Sequence, residues 1–91
     1  MTNFTFKSQL SQIDILRKKR LYKQCSKLIE KSKKTAYSQE NYTAVIQLLS
    51  HEVKLASDQY HEGKEEKWVE AIFNEMAIAM QRYKVFQEAN H

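Results

Sequence analysis

Ninety-one residues without a proline and with one glycine, Gly63, leave few ways to turn a chain sharply. Hairpins and tight turns take positive φ from glycine and a fixed corner from proline, so strand-rich folds lack their punctuation here. Lys, Glu, Gln, Ala and Leu, which lose little on entering a helix, are abundant instead. The fold class that follows is all-α. An apolar content of 42% beside 29% charged residues is a globular balance, too hydrophobic for disorder and sufficient for one modest core.

Residues 38–63, SQENYTAVIQLLSHEVKLASDQYHEG, carry the cleanest helical pattern. Tyr42, Val45, Ile46, Leu49, Val53, Ala56 and Tyr60 make one stripe at 3.6 residues per turn, and the opposite face is polar, from Thr43 and Gln47 to Ser57 and Asp58. Ser38 is placed as the N-cap, Tyr37 and Tyr42 as a hydrophobic staple, and Gly63 as the left-handed residue that ends the helix.

Upstream, residues 1–10 read as an N-terminal arm whose phenylalanines, Phe4 and Phe6, dock on the helices. Ser11 to Asp14 read as a variant capping box, with Leu10 and Ile15 as its staple. They open a first helix over about residues 12–33, which places Ile13, Leu21, Cys25, Leu28 and Ile29 on one side, with Arg17 inside the same apolar arc. Residues 34–37 form a short connector, making the first two helices antiparallel neighbours. Glu65 and Glu66 suit the first turn of a third helix over about residues 65–88. Its broad apolar face runs from Trp68 and Val69 through Ile72, Phe73, Met76, Ala79 and Met80 to Tyr83 and Phe86, and Ile78 and Val85 lie on a second face, surplus to a bundle. The expected architecture is a single domain over residues 1–91: an antiparallel up-down-up three-helix bundle (about 12–33, 39–62 and 65–88) with an N-terminal arm.

Charge divides the chain. Residues 1–40 hold ten basic and three acidic side chains, a balance of +7, and residues 41–91 hold five and eight, a balance of −3. Lys19, Lys23, Lys27 and Lys31 recur every four residues with Arg20 and Lys34 beside them. Each like-charge pair at that spacing destabilises an isolated helix by about 0.2–0.5 kcal/mol. Such a ridge calls for a negative neighbour, either Glu65, Glu66, Glu70 and Glu75 of the third helix or a surface on another molecule. The ridge is poor in the planar guanidinium that reads guanine and has no interleaved aromatics on which bases could stack, so nucleic acid would be held through phosphate alone.

The signatures of catalysis are missing. His51 and His61 are ten residues apart, about 280° around a helix, and share no ligand face. One glycine cannot build a phosphate loop, the carboxylates are spread along helices without a recess, and the Trp68, Phe73, Met76, Met80 cluster reads as core. No enzyme activity, metal or cofactor is therefore expected. Cys25 is alone and reads as a small buried hydrophobe. Nothing resembles a secretory signal, and no apolar run approaches the ~20 residues of a membrane span, which gives a cytoplasmic location as the default. Asn3-Phe4-Thr5 and Asn41-Tyr42-Thr43 match a glycosylation pattern that has no use there.

The hydrophobic spacing from Val45 through Val85 resembles that of the middle helices of immunity proteins that protect bacteria from pediocin-like bacteriocins. The likeness covers about half the chain and carries no diagnostic residue; it implies a small cytosolic helical bundle with a protective role. That family continues into a fourth helix and tail and lacks the arm. Leu48 to Ala56 are similar to part of the helical N-terminal region of transposition helper ATPases, whose nucleotide-binding domain has no counterpart here. The reading is of a non-enzymatic adaptor or inhibitor that binds a protein partner with an acidic surface through Arg17, Lys19, Arg20, Lys23, Lys27, Lys31, Ile78 and Val85, with self-association open to the surplus apolar face of the third helix. The alternatives are an accessory nucleic-acid binder and a bacteriocin-immunity-like bundle.

Overall fold

The computed structural model describes residues 6–59 and 64–89. Every element among them is helical: α1 (Lys7–Lys18), α2 (Tyr22–Ser38), α3 (Tyr42–Asp58) and α4 (Lys64–Ala89). The all-α expectation is met, with four helices described in place of three. Phe4, Tyr60, Gly63 and the side chain of Glu65 lie outside the described residues.

The segment expected as one helix over residues 12–33 is two helices, and burial explains the division. On a continuous rod Ile13 and Ile29, sixteen residues apart, would point about 160° away from each other at 100° per residue. Both are fully buried. No single straight helix can place both in one core, so the chain turns between them. α1 also begins earlier than expected: Ser11, Asp14, Leu10 and Ile15 sit inside it, and Phe6 precedes it, buried, with its carbonyl accepting from Leu10 N at 2.8 Å.

Two turns without glycine separate the first three helices, and they are built alike. After α1, Arg20 N–H donates to Arg17 O at 3.0 Å and Leu21 N–H to Leu16 O at 2.9 Å, with Arg20 at φ 62. After α2, Glu40 N–H donates to Tyr37 O at 3.0 Å and Asn41 N–H to Ala36 O at 2.9 Å, with Glu40 at φ 53. These are the paired closing bonds of a Schellman ending, which caps a helix's last carbonyls and reverses the chain. Residues 34–37, expected as a connector, are thus the last turns of α2, and Ser38 ends that helix, its hydroxyl donating to Thr35 O at 2.9 Å. Asn41 is the N-cap of α3, its Oδ1 accepting from Ala44 N at 3.1 Å.

α3 is the hub. It packs against each of the other three helices, α1 packs also on α2, and among the described residues α4 approaches neither α1 nor α2 along the backbone. Ala44, Val45, Leu48, Leu49, Leu55 and Ala56 are all buried, and the exposed residues of α3 are all polar: Thr43, Gln47, Ser50, Lys54, Ser57 and Asp58. Cys25 is buried, its thiol donating to Ile13 O at 3.4 Å, and burial raises its pKa. The Cα extents of 45 × 28 × 15 Å describe a plate two helix layers thick, since the Cα atoms of one helix span about 5 Å and packed helix axes lie about 8–10 Å apart.

A non-glycine residue in the left-handed region costs about 1–2 kcal/mol of steric strain, part of which glycine relieves. Arg20→Gly and Glu40→Gly should each stabilise the fold by about 0.5–1 kcal/mol, raising the melting temperature by a few degrees; an unchanged or lower midpoint in a CD melt would contradict the Schellman assignment. Phe6→Ala should destabilise by about 3 kcal/mol, read as a shifted urea midpoint.

Candidate functional site

Charged groups in this chain fall into an inward set and an outward set. The inward set centres on Lys33, whose side chain is only 10% exposed and whose ammonium lies 3.2 Å from Glu52 Oε1, 3.2 Å from Glu75 Oε1 and 3.6 Å from Glu30 Oε1. Glu75 also accepts from Tyr37 OH at 2.6 Å, and Glu52, itself 13% exposed, from Trp68 Nε1 at 3.4 Å. One cluster thereby ties α2, α3 and α4. Burial acts to lower the Lys33 pKa, but the charge and hydrogen bond of Glu52, then Glu75 and Glu30, carry it above the ordinary lysine value. Burial, then the hydrogen bond to Glu75, raises the pKa of Tyr37.

A second inward pairing fixes the end of α1. Arg17 reaches Asp14 Oδ1 and Asp58 Oδ2, both at 3.0 Å, with its side chain 18% exposed. Lys18 closes the group at 3.0 Å from Asp14 Oδ2. The hydrogen bonds from Lys18 and Arg17 hold the Asp14 carboxyl below its usual range. Beside it on α3, burial and then the charge of Lys54 push His51 below the usual imidazole value, and its buried Nδ1 makes no hydrogen bond among the described residues.

The outward set contains most of the ridge. Lys19 and Arg20 stand in the α1–α2 turn, and Lys23, Lys27, Lys31 and Lys34 are exposed on α2. None of these six is in an ion pair among the described residues. The internal partner considered for them does not reach them: Glu75 is turned to Lys33 and Tyr37, while Glu66 and Glu70 are exposed on α4, which lies on α3 away from α1. Arg17 lines a surface hollow together with Arg20 but, unlike the ridge, is paired with carboxylates, those of Asp14 and Asp58.

α4 presents apolar surface twice over. Its seat on α3 uses buried Ile72 and Ala79 with partly buried Trp68, Val69 and Met76. Ile78 and Val85 are more than half exposed. They follow Glu75 around the helix on the side that meets α2, just as Lys34 and Lys27 follow Lys33 outward on α2. The Lys33–Glu75 contact therefore separates a basic strip from an apolar one on the same side of the plate. At 1.5 Å per residue α4 is about 39 Å long and α3 about 26 Å, so the last turns of α4 overrun the start of α3. There Tyr42, Arg82, Val85, Phe86 and Ala89 line an open cleft of about 360 Å³.

Sequence reasoning grouped Lys33 with the other basic residues and missed its role; its place about 120° from Lys27 on one helix, toward buried Ile29 and Ala36, was the available signal. Among the described residues no three of His, Cys, Asp or Glu are grouped to hold a metal ion, and no helix is long and apolar enough to cross a membrane. Compared with family models, with curated proteins and with solved structures, the chain matches none of them.

Because the folded pKa values of Lys33 and Tyr37 are raised, their stabilising contribution is complete below about pH 10, where the unfolded groups keep their protons, and is lost as pH rises through and beyond the ordinary values of 10.0 for Tyr and 10.5 for Lys. Tyr37→Phe should make the alkaline fall in stability shallower, measured by urea unfolding from about pH 9 upward. Lys33→Met strands two carboxylates and should cost about 2–3 kcal/mol, less than a fully buried pair because Glu75 keeps some solvent. Pairing it with Glu52→Met should recover part of that loss.

Proposed function

We propose that this protein acts without catalysis, by binding a protein partner whose surface joins acidic residues to an apolar strip. The observation that carries this reading is the exposure of Lys23, Lys27 and Lys31 with no carboxylate of the described chain paired to them. A basic row whose repulsion is unrelieved within its own fold gains free energy from an acidic surface brought alongside. Lys19 and Arg20 extend the row into the α1–α2 turn, and Arg17 serves as the residue that fixes that turn.

Ile78 and Val85 supply what lysines cannot. Interfaces draw most of their affinity from a desolvated apolar centre, while rim charges set approach and orientation. The strip on α4 supports the centre and the row on α2 the rim. A partner that spans both would be an acidic amphipathic element.

The alternative is phosphate binding, which uses the same lysines and has no need of Ile78 or Val85. The two readings separate by mutation. From nuclease-treated extract of the native cells, the wild type should retain a partner that Lys23→Glu/Lys27→Glu/Lys31→Glu and Ile78→Asp/Val85→Asp each lose, both variants staying helical by CD. A partner set unchanged by the lysine reversals would remove the row from the account. Binding of duplex DNA that survives the Ile78 and Val85 changes and falls linearly on a log–log salt plot would favour phosphate.

A further inference from the structure

On the flank of α4 opposite to Ile78 and Val85, exposed residues recur in alternating steps of four and three: Glu66, Glu70, Phe73, Ala77, Met80, Lys84 and Gln87. That is the two-per-heptad seam by which one helix pairs with another. α4 already spends a different stripe, through Ile72, Met76 and Ala79, on its seat against α3. Phe73 and Met80 are 54% and 53% exposed. The ends of the seam are oppositely charged, with Glu66 and Glu70 first and Lys84 last, and none of the three is in an ion pair among the described residues.

We infer that this seam is a self-association surface whose occupant is the α4 of a second copy, run antiparallel about a two-fold axis between Phe73 and Ala77. A two-fold interface is isologous, so every contact is made twice. Inversion about that axis lays Phe73 of each copy on Ala77 of the other, large against small. It sets Glu66 of each copy opposite Lys84 of the other, and Glu70 opposite Met80, one turn from that Lys84. Parallel pairing would bring Glu66 to Glu66 and Lys84 to Lys84, so charge selects the antiparallel arrangement. A seam carrying both signs in the order that a two-fold inverts is complementary to itself.

The net charge of +4 does not oppose this approach. Residues 64–89 hold four basic and five acidic side chains, a balance of −1, and the lysines of α2 lie beyond the other flank of α4. From Glu66 to Gln87 the seam is about 32 Å long, and its residues are distinct from those assigned above to a partner. Failure of either proposal leaves the other standing.

The test is sedimentation equilibrium over a wide concentration range. The wild type should show a reversible monomer–dimer equilibrium. Glu66→Lys/Glu70→Lys and Lys84→Glu should each weaken it by about tenfold or more, with helicity by CD unchanged because all three positions are exposed. Mixing the two variants should restore dimers, now mixed ones, and the triple variant should self-associate like the wild type. A wild type that stays monomeric throughout overturns the proposal, as do reversals that leave dimerisation intact or a mixture that fails to recover it.

Discussion

An ammonium group placed between three helices sets how this fold is assembled. α2 and α4 rest on α3 without meeting along their backbones, and Lys33 joins them through Glu75 while Glu52 holds it from below. Apolar burial is non-directional, so a stripe such as Ile72, Met76 and Ala79 would tolerate a shift of one turn along α3. The Lys33 ammonium, the Tyr37 hydroxyl and the Trp68 indole each demand a particular carboxylate oxygen, and a shift would leave them unmet. A buried ion pair adds little net stability over a hydrophobic replacement; its contribution here is the register of α4.

The same logic sorts the basic half of the chain. Arg17 and Lys33 are consumed by Asp14, Asp58, Glu52 and Glu75, which leaves the outward lysines as a set with no counterpart. Sequence charge alone cannot make that division, because Lys31, Lys33 and Lys34 differ only in where the helix turns them. The α2 phase set by Cys25, Ile29 and Ala36 decides it.

Helical class, the extent of the last helix and the exposed position of Ile78 and Val85 were legible from spacing and composition. The turns after α1 and after α2 were not, for a physical reason: their left-handed positions are Arg20 and Glu40, residues that advertise nothing, where glycine would have marked a boundary. The trace that did exist was Arg17 intruding on an apolar arc, a sign that the stripe was changing phase. Spacing placed the cap at Ser38, and the N-cap of α3 is Asn41, three residues later. The buried Ala36, whose carbonyl accepts from Asn41 N, favours the later one.

The backbone of α4 meets only α3, with α2 reaching it through the side chains of Lys33 and Tyr37 at Glu75, and this gives the plate an uneven resistance to opening. Ile13, Leu16, Cys25, Ile29, Leu48 and Leu55 belong to α1, α2 and α3, so much of the core lies outside α4. Detaching α4 would bare Ile72, Ala79 and their seat while those residues stayed together, a smaller step than global unfolding. Amide deuteration would then register two tiers, with the helix that carries the most uncovered apolar surface also the one whose backbone meets the fewest neighbours.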